Sequence, residues 1–444
     1  RDATGAELLD KALKELDRSD ELLPQLVKVE KAHADDTGAD ALRLFMAQKY
    51  LDAKMPQQAA PLFAALHKKT PSVEIYNGLI ESYLRIEDAD RLAATLADLH
   101  EKAGTIDIVS EPIKELAGNE AMVLKLSDAV DQLAKSNTGN TAFHARLVMG
   151  LVATEAEKLD LAGKSFEKAA MLKPRSRDVW REWGLALVQT HHYADAADVF
   201  RRGIESHVLA ADNPLFHTYL AIALTLDDRY DEALAAAREA AEIGEHSATV
   251  ESRIPWVLYH AKRLDEAKKA YEELIDRFDD DRTGEGVGPA LKEARMVLSN
   301  ICVVQNNLSE AEEWLEEVLD EYPNDVGALN DLGYLWADEG KHLDRALKMV
   351  QQAVDAEPEN VSYRDSLGWA FYRMGRYPEA VEQLEKATAG EDPDGVILDH
   401  LGDAYSANKQ SSKARATWKR AFEKLKKAGE TDKAAQIKKK LKKS

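Results

Sequence analysis

Small and bulky residues recur at a fixed interval along most of this chain, and few folds accommodate such a rule. Residues 365–387, DSLGWAFYRMGRYPEAVEQLEKA, are echoed by residues 399–421, DHLGDAYSANKQSSKARATWKRA. Phe371 answers to Tyr405, Ala380 to Ala414, Leu384 to Trp418 and Ala387 to Ala421, each 34 residues on. Upstream, Trp183-Gly184 follows Met149-Gly150 by 34, and Leu332-Gly333 precedes Leu367-Gly368 by 35, with one extra residue in the turn EGKHLDRA. Later in each unit stands a second set: Ala162/Phe166/Ala169, Ala196/Phe200/Gly203, Ala233/Ala237/Ala240, Ala311/Leu315/Val318 and Ala346/Val350/Ala353.

Spacings of three and four place such residues on one face of a helix. Two such faces per unit, separated by turns such as MGRYPEA or LDDRYDEA, predict a helix–turn–helix hairpin. Gly or Ala at the crossing lets two backbones approach while the bulky residue fills the space beside them. Contact positions are therefore constrained and solvent positions drift. The units run 143–176, 177–210, 214–247, 248–281, 292–325, 326–360, 361–394 and 395–428, with a further match at 40–73 carrying Ala59, Phe63 and Pro71. Segments 74–107 and 108–142 keep the length but lose the pattern and are expected to be degenerate units. Residues 1–39 are expected to hold a helix pair, 282–291 an inserted Gly-rich loop, and 431–444 a basic capping helix with Ala434, Ile437 and Leu441 on one face. Asn213-Pro214, Ser176 and Asn360 are candidate helix starts, and Pro255 should bend the first helix of its unit.

The pattern resembles the tetratricopeptide repeat family, whose units carry a large residue, Leu-Gly and an aromatic, then Ala, Phe, Ala and Pro. That resemblance implies an all-α, right-handed α-solenoid of stacked hairpins whose first helices line a concave, protein-binding groove. On that register the candidate partner-binding residues are Arg253, Trp256, Tyr259, Asn300, Asn330, Asp331, Tyr334, Asp365, Trp369, Tyr372, Asp399 and Asp403. The C-terminal half of the groove is thus aromatic and acidic. Aromatic side chains are enriched in binding hot spots, and carboxylates would select basic groups on a protein or extended peptide. The same aromatics could instead pack between hairpins and never meet a partner. The basic clamp that holds chaperone tails in some family members is missing, since the equivalent places hold residues such as Leu147, Met296 and Asp399. Residues 330–387 also resemble the C-terminal repeats of bacterial envelope proteins of this family, which implies an alternative role as an adaptor for a protease or assembly machine.

Charge and composition exclude several classes. The 444 residues are 45% hydrophobic and 31% charged, the mark of a packed chain. The net charge is −21, but residues 409–444 carry 14 Lys and Arg against 3 Asp and Glu, a net of +11 that leaves −32 on the rest. Such a body repels nucleic acid and anionic membrane. Contact with either through the basic tail is a remote alternative to a solubilising cap. No apolar run is long enough to span a membrane. The chain starts at Arg1 without Met or an apolar leader, so a trimmed N-terminus and a bacterial periplasmic or envelope location are expected over a cytoplasmic one. With Cys302 alone, no internal disulfide can form.

No cofactor, metal or catalytic constellation is expected. AGKS at 162–165 lacks the upstream glycine of a phosphate loop and is assigned to an inter-helix turn. DDDRTGEG at 279–286 has Asp279, Asp281, Thr283 and Gly284 in calcium-loop order but Ala290 where the bidentate Glu belongs. His191, His192 and Asp195 share a turn, and His400 and Asp403 share a helix face; each is too small a set for a metal. Cys302 falls at a core position, and residues 74–142 hold no clustered nucleophile and base.

Overall fold

The computed structural model describes residues 3–15, 18–32, 38–137, 139–244, 247–280, 284 and 286–443, and among them there is helix but no strand. The chain forms two compact units, residues 1–245 and 246–444. Each is an α-solenoid built from antiparallel helix pairs in sequence order.

The crossing within each pair explains the repeat. A methyl group on Gly150 would lie 2.6 Å from the ring of Phe166, sixteen residues on. Gly184 meets Phe200, Gly368 meets Leu384 and Gly402 meets Trp418 at the same interval, and Gly333 meets Val350 one residue later. The extra residue is taken up in the turn, where Gly340 and His342 both have positive φ. A Cβ at any of these glycines would displace a packed side chain, so the spacing is fixed by contact. In unit 214–247 the volume is shared differently: Ala221 and Ala237 stand at the two positions, both fully buried.

The turns repeat as faithfully. Glu157, His191, Asp228, Lys262, Asn306, Gly375 and Lys409 each take the left-handed conformation between paired helices. The following amide then bonds back across the helix end, as in Lys158 to the carbonyl of Ala153 and Gln410 to that of Tyr405. This is the Schellman closure, which satisfies orphan carbonyls. In unit 246–444 one apolar core runs from Cys302 to Ile437. The Thr431–Lys443 helix closes it with Ala434 and Ile437 buried and Leu441 partly buried.

Several local expectations need correction. Residues 287–291 are not loop: the Val287–Val304 helix begins there, after Gly286 at φ 77°, and Pro289 lies in its first turn, where a missing N–H costs nothing. Residues 162–165 are not a turn but the interior of the Leu159–Leu172 helix, where the Ser165 hydroxyl donates to the Leu161 carbonyl. Ser176 precedes its helix without a side-chain cap bond, whereas Asn360 accepts from the amides of Ser362 and Tyr363. The N-cap of the Leu215–Leu226 helix is Pro214, not Asn213, which lies one residue further out and whose side-chain oxygen accepts from the Leu215 amide. The break expected near Pro255 falls at Ser252, between Ala248–Glu251 and Arg253–His260.

The 74–142 stretch divides. Val73–Arg85 and Ala89–Ala103 form a full-length pair, with Gly78 set against Phe63 of the preceding pair. Beyond it, the first helix shrinks to Ser110–Ala117, and Ala89–Ala103 packs on both Glu120–Ser136 and Asn140–Glu155. At that junction His100 Nδ1 lies 2.8 Å from His144 Nδ1, and His100 Nε2 lies 2.8 Å from the Glu182 carboxylate, tying three helices together.

Gly150→Ala should destabilise residues 1–245 by about 1–3 kcal/mol through overpacking against Phe166. Combined with Phe166→Leu, the loss should fall short of the two single losses added, because the second change opens the space the first one fills. Urea unfolding of the four proteins measures both effects.

Candidate functional site

Three first helices of the C-terminal unit, Val326–Glu339, Val361–Arg373 and Gly395–Ala407, carry eight of the twelve candidate partner-binding residues. Each is started by a side-chain cap: Asp325 accepts from Ala328 N, Asn360 from Ser362 N and Tyr363 N, and Asp394 from Val396 N and Ile397 N. These caps satisfy first-turn amides that have no partner within the helix.

The centre of the arrangement is an aromatic stack on His400. The imidazole lies 4.2 Å from the Trp369 ring at 21°, and Trp369 lies 4.7 Å from Tyr372 at 14°. Tyr334 leans toward His400 at 6.4 Å. His400 Nδ1 is 2.9 Å from Asp365 Oδ1 and 3.0 Å from Oδ2, and both residues are buried. Burial alone would lower the His400 pKa; the Asp365 carboxylate outweighs it and raises it. The Trp369 indole N–H donates to Asp338 Oδ1 at 3.0 Å, and Arg373 pairs with the same carboxylate at 3.2 Å.

A second knot ends the groove. The Lys440 ammonium, on the last helix, donates to Asp399 Oδ1 and Asp403 Oδ2, each at 2.8 Å. The Trp418 indole N–H donates to the other oxygen of Asp403 at 3.1 Å. Burial pushes the Asp403 pKa up even so, while the two carboxylates hold the Lys440 pKa above its ordinary value against burial.

The remaining candidates lie apart from that stack. Arg253 lies over Trp256 at 5.5 Å and donates to Glu293 at 3.1 Å; Trp256 meets His260 at 4.4 Å and Tyr259 meets it edge-on at 5.8 Å. Asn300 is exposed and joins neither group. Asn330 and Asp331 sit side by side at the start of the stack, and the Asn330 amide donates to Asp331 at 3.0 Å.

The acidic character expected of the groove is largely neutralised from within. Asp338 has Arg373, Asp365 has His400, and Asp399 and Asp403 share Lys440. His400, Arg373 and Lys440 were not among the candidate residues. A signal existed: Asp365 to His400 and Asp338 to Arg373 are each 35 residues apart, one repeat plus one, which brings complementary groups side by side on adjacent first helices.

The other motifs resolve into packing. His400 and Asp403 point to different partners, and His191 bonds the Tyr193 hydroxyl at 2.6 Å. Asp281 and Thr283 of the calcium-like stretch lie outside the described residues. Among the described residues no group of three metal-ligating side chains converges. Cys302 is fully buried, and burial, with Glu310 nearby, pushes its thiol up to about 11, far from a thiolate nucleophile. No helix among the described residues is long and apolar enough to cross a membrane.

A family model described as tetratricopeptide repeat matches residues 181–248, 256–326 and 328–396. The TPR repeat-containing protein PA4667 of Pseudomonas aeruginosa is 32% identical over 99 residues, which span 22% of this chain and 17% of that protein's length. Among solved structures, a tetratricopeptide repeat protein from Parabacteroides merdae aligns with 59% of this chain and 98% of its own at 14% identity and a TM-score of 0.45. Yeast Tom70 aligns over 99% and 95% at 13% identity and 0.43, and the Cut9–Hcn1 hetero-tetramer of the APC/C over 99% and 96% at 12% and 0.46.

The two histidine clusters predict opposite pH responses. His400 has a raised folded pKa, so its stabilising contribution is full below about 6.5 and is lost as pH rises through the folded value. His144 is lowered by burial and by His100, so residues 1–245 should lose stability as pH falls below about 6.5. Urea midpoints recorded from pH 5 to 9 for each unit, read by local tryptophan fluorescence, should move in these directions, and His400→Gln and His144→Gln should flatten the respective slopes.

Proposed function

Residues 181–396 of this chain belong to the tetratricopeptide-repeat family, and on that premise we propose that the chain is a protein-interaction scaffold holding an extended peptide segment along the first helices of its C-terminal unit. Tetratricopeptide arrays present a concave wall to other proteins, and protein partners follow from that at the level of class. The location of the contact and its chemistry are the proposal.

One observation carries it. Trp369 is a rigid platform: buried, anchored through its N–H to Asp338 and stacked on His400. Tyr372 and Tyr334, half-buried beside it, each keep part of their surface open. Tyrosines packed beside neighbouring rings, Tyr372 stacked on Trp369 and Tyr334 tilted toward His400, give contact area at low entropy cost. The internal ion pairs hold the platform still and remove most of the charge that would otherwise repel an apolar segment. The partner segment favoured by this wall is therefore apolar or aromatic, with few acidic residues.

No reaction is assigned to this site. Its one buried acid–base pair, His400 and Asp365, is covered by Trp369, and the groups around it serve to position rings.

Tyr334→Ala with Tyr372→Ala should cut capture of the main partner from an extract of the source organism by about tenfold or more, since hot-spot aromatics contribute about 2 kcal/mol or more each. The urea midpoint of the C-terminal unit should shift little, because both rings are partly solvated already. Quantitative affinity purification with mass spectrometry reads the outcome. Undiminished capture by a folded double variant would remove the tyrosine wall from the binding surface.

A further inference from the structure

Five aspartates line the first helices from Val326 to Ala407: Asp331, Asp338, Asp365, Asp399 and Asp403. Four of them meet a cationic or imidazole partner, as described above. Asp331 does not: among the described residues no lysine, arginine or histidine pairs with it, and the Asn330 amide is its one recorded hydrogen-bond partner. Lys292, on the preceding first helix, is committed to Asp325 at 2.8 Å. Burial, with Asp325 nearby, pushes the Asp331 pKa up. A half-buried carboxylate that lacks a counter-charge is costly to keep, and binding a cation is one way to relieve that cost.

A second, independent observation points the same way. Asn330 is 7% exposed, and its side-chain oxygen has no hydrogen-bond donor. The amide cannot simply be turned round, because its NH2 is fixed on Asp331; reversing it would set two acceptors against each other. Two acceptor groups thus stand together, one charged and one neutral, with no donor assigned to either beyond the bond between them. Buried unsatisfied acceptors are rare in folded proteins and call for a donor from elsewhere.

Elsewhere in the same unit two carboxylates one helical turn apart hold a cation. At Asp399 and Asp403 one primary ammonium, that of Lys440, bridges two oxygens at 2.8 Å each. We propose that Asp331 and the Asn330 side-chain carbonyl form a receptor for one ammonium or guanidinium group, carried by a lysine or arginine side chain of the bound peptide. Part-exposed Asp331 offers the approach and Asn330 the second acceptor. The inference rests on the groove reading above and refines it: the wall takes an apolar segment with one basic residue, placed beside Tyr334. Because the other four carboxylates are already matched, the selection is for a single cation at a defined place and not for a basic peptide in general.

The test uses three biotinylated peptide libraries with a fixed central residue, lysine, arginine or norleucine, flanked by randomised uncharged positions. Retention is compared on the full-length wild type, Asp331→Asn, and Asp344→Asn, an exposed carboxylate on a second helix. The lysine or arginine library should be retained about fivefold or more over norleucine on the wild type, the range of a charge-assisted hydrogen bond. That ratio should fall to about one on Asp331→Asn and persist on Asp344→Asn. Which of lysine and arginine is preferred tells a point ammonium from a forked guanidinium. A ratio near one on the wild type, or an undiminished ratio on Asp331→Asn, overturns the cation site. If norleucine peptides are still retained in either case and lost on the Tyr334/Tyr372 double variant, the groove reading survives it. Retention of none of the libraries overturns both. Asp331→Asn removes an uncompensated charge without changing shape, so its thermal midpoint should equal or exceed that of the wild type, which guards against a misfolded control.

Discussion

The fold depends on one kind of contact: a glycine or alanine of the first helix set against a large side chain of the second, about four and a half turns further along the chain. It acts where an isolated hairpin is weakest. A pair of helices this short cannot bury its apolar faces alone, so the crossing must bring the backbones close enough for the remaining faces to meet neighbouring pairs on both sides. Gly150 under Phe166 and Gly402 under Trp418 solve this with large rings, Gly368 under Leu384 with an aliphatic group, and Ala221 opposite Ala237 with neither. The summed volume differs from pair to pair; what recurs is the place of the contact, sixteen or seventeen residues apart across the turn.

That contact explains why the hairpins could be read from the sequence and why other features could not. A residue at a crossing sees the same surroundings in every unit, so its chemistry recurs every 34 positions. The irregular stretch near Ser110–Ala117 has no recurring surroundings: this helix is shortened and packs on Val73–Arg85, Glu120–Ser136 and Asn140–Glu155, and periodicity is silent there. The loop expected at 282–291 gives way to helix from Val287 because a first helical turn tolerates Pro289. AGKS at 162–165, expected in a turn, is helical, as the register of Ala162 and Phe166 requires.

The site was legible in the same partial way. Family register points to the first-helix positions that face the groove, and Trp369, Tyr372, Asp365 and Tyr334 do gather around one centre. What no single-helix pattern shows is the match across the gap, such as Lys440 finding Asp399 and Asp403 from a helix outside the repeat, or Arg373 finding Asp338. Those pairs depend on the offset between adjacent first helices and on rotamers of long side chains. Read as a list, the groove is acidic; in the fold it is nearly balanced.

This balance bears on how the molecule can discriminate. A body with a net of −32 outside its basic tail attracts any polycation at long range, which speeds encounter but selects poorly. Selection needs short-range groups in a place where water is thin and alternatives are few. Matching four of the five groove aspartates internally lowers the nonspecific attraction at the binding wall itself. The stacked rings supply a surface that needs no reorganisation on contact. On the proposed reading, Asp331 beside an unsatisfied Asn330 makes one position decisive: a partner lacking a cation there would cover a half-buried carboxylate with an apolar segment and leave it without a counter-charge. The exclusion of wrong partners by that cost, more than any gain from the right one, is how a mostly neutral groove on an acidic scaffold can be selective.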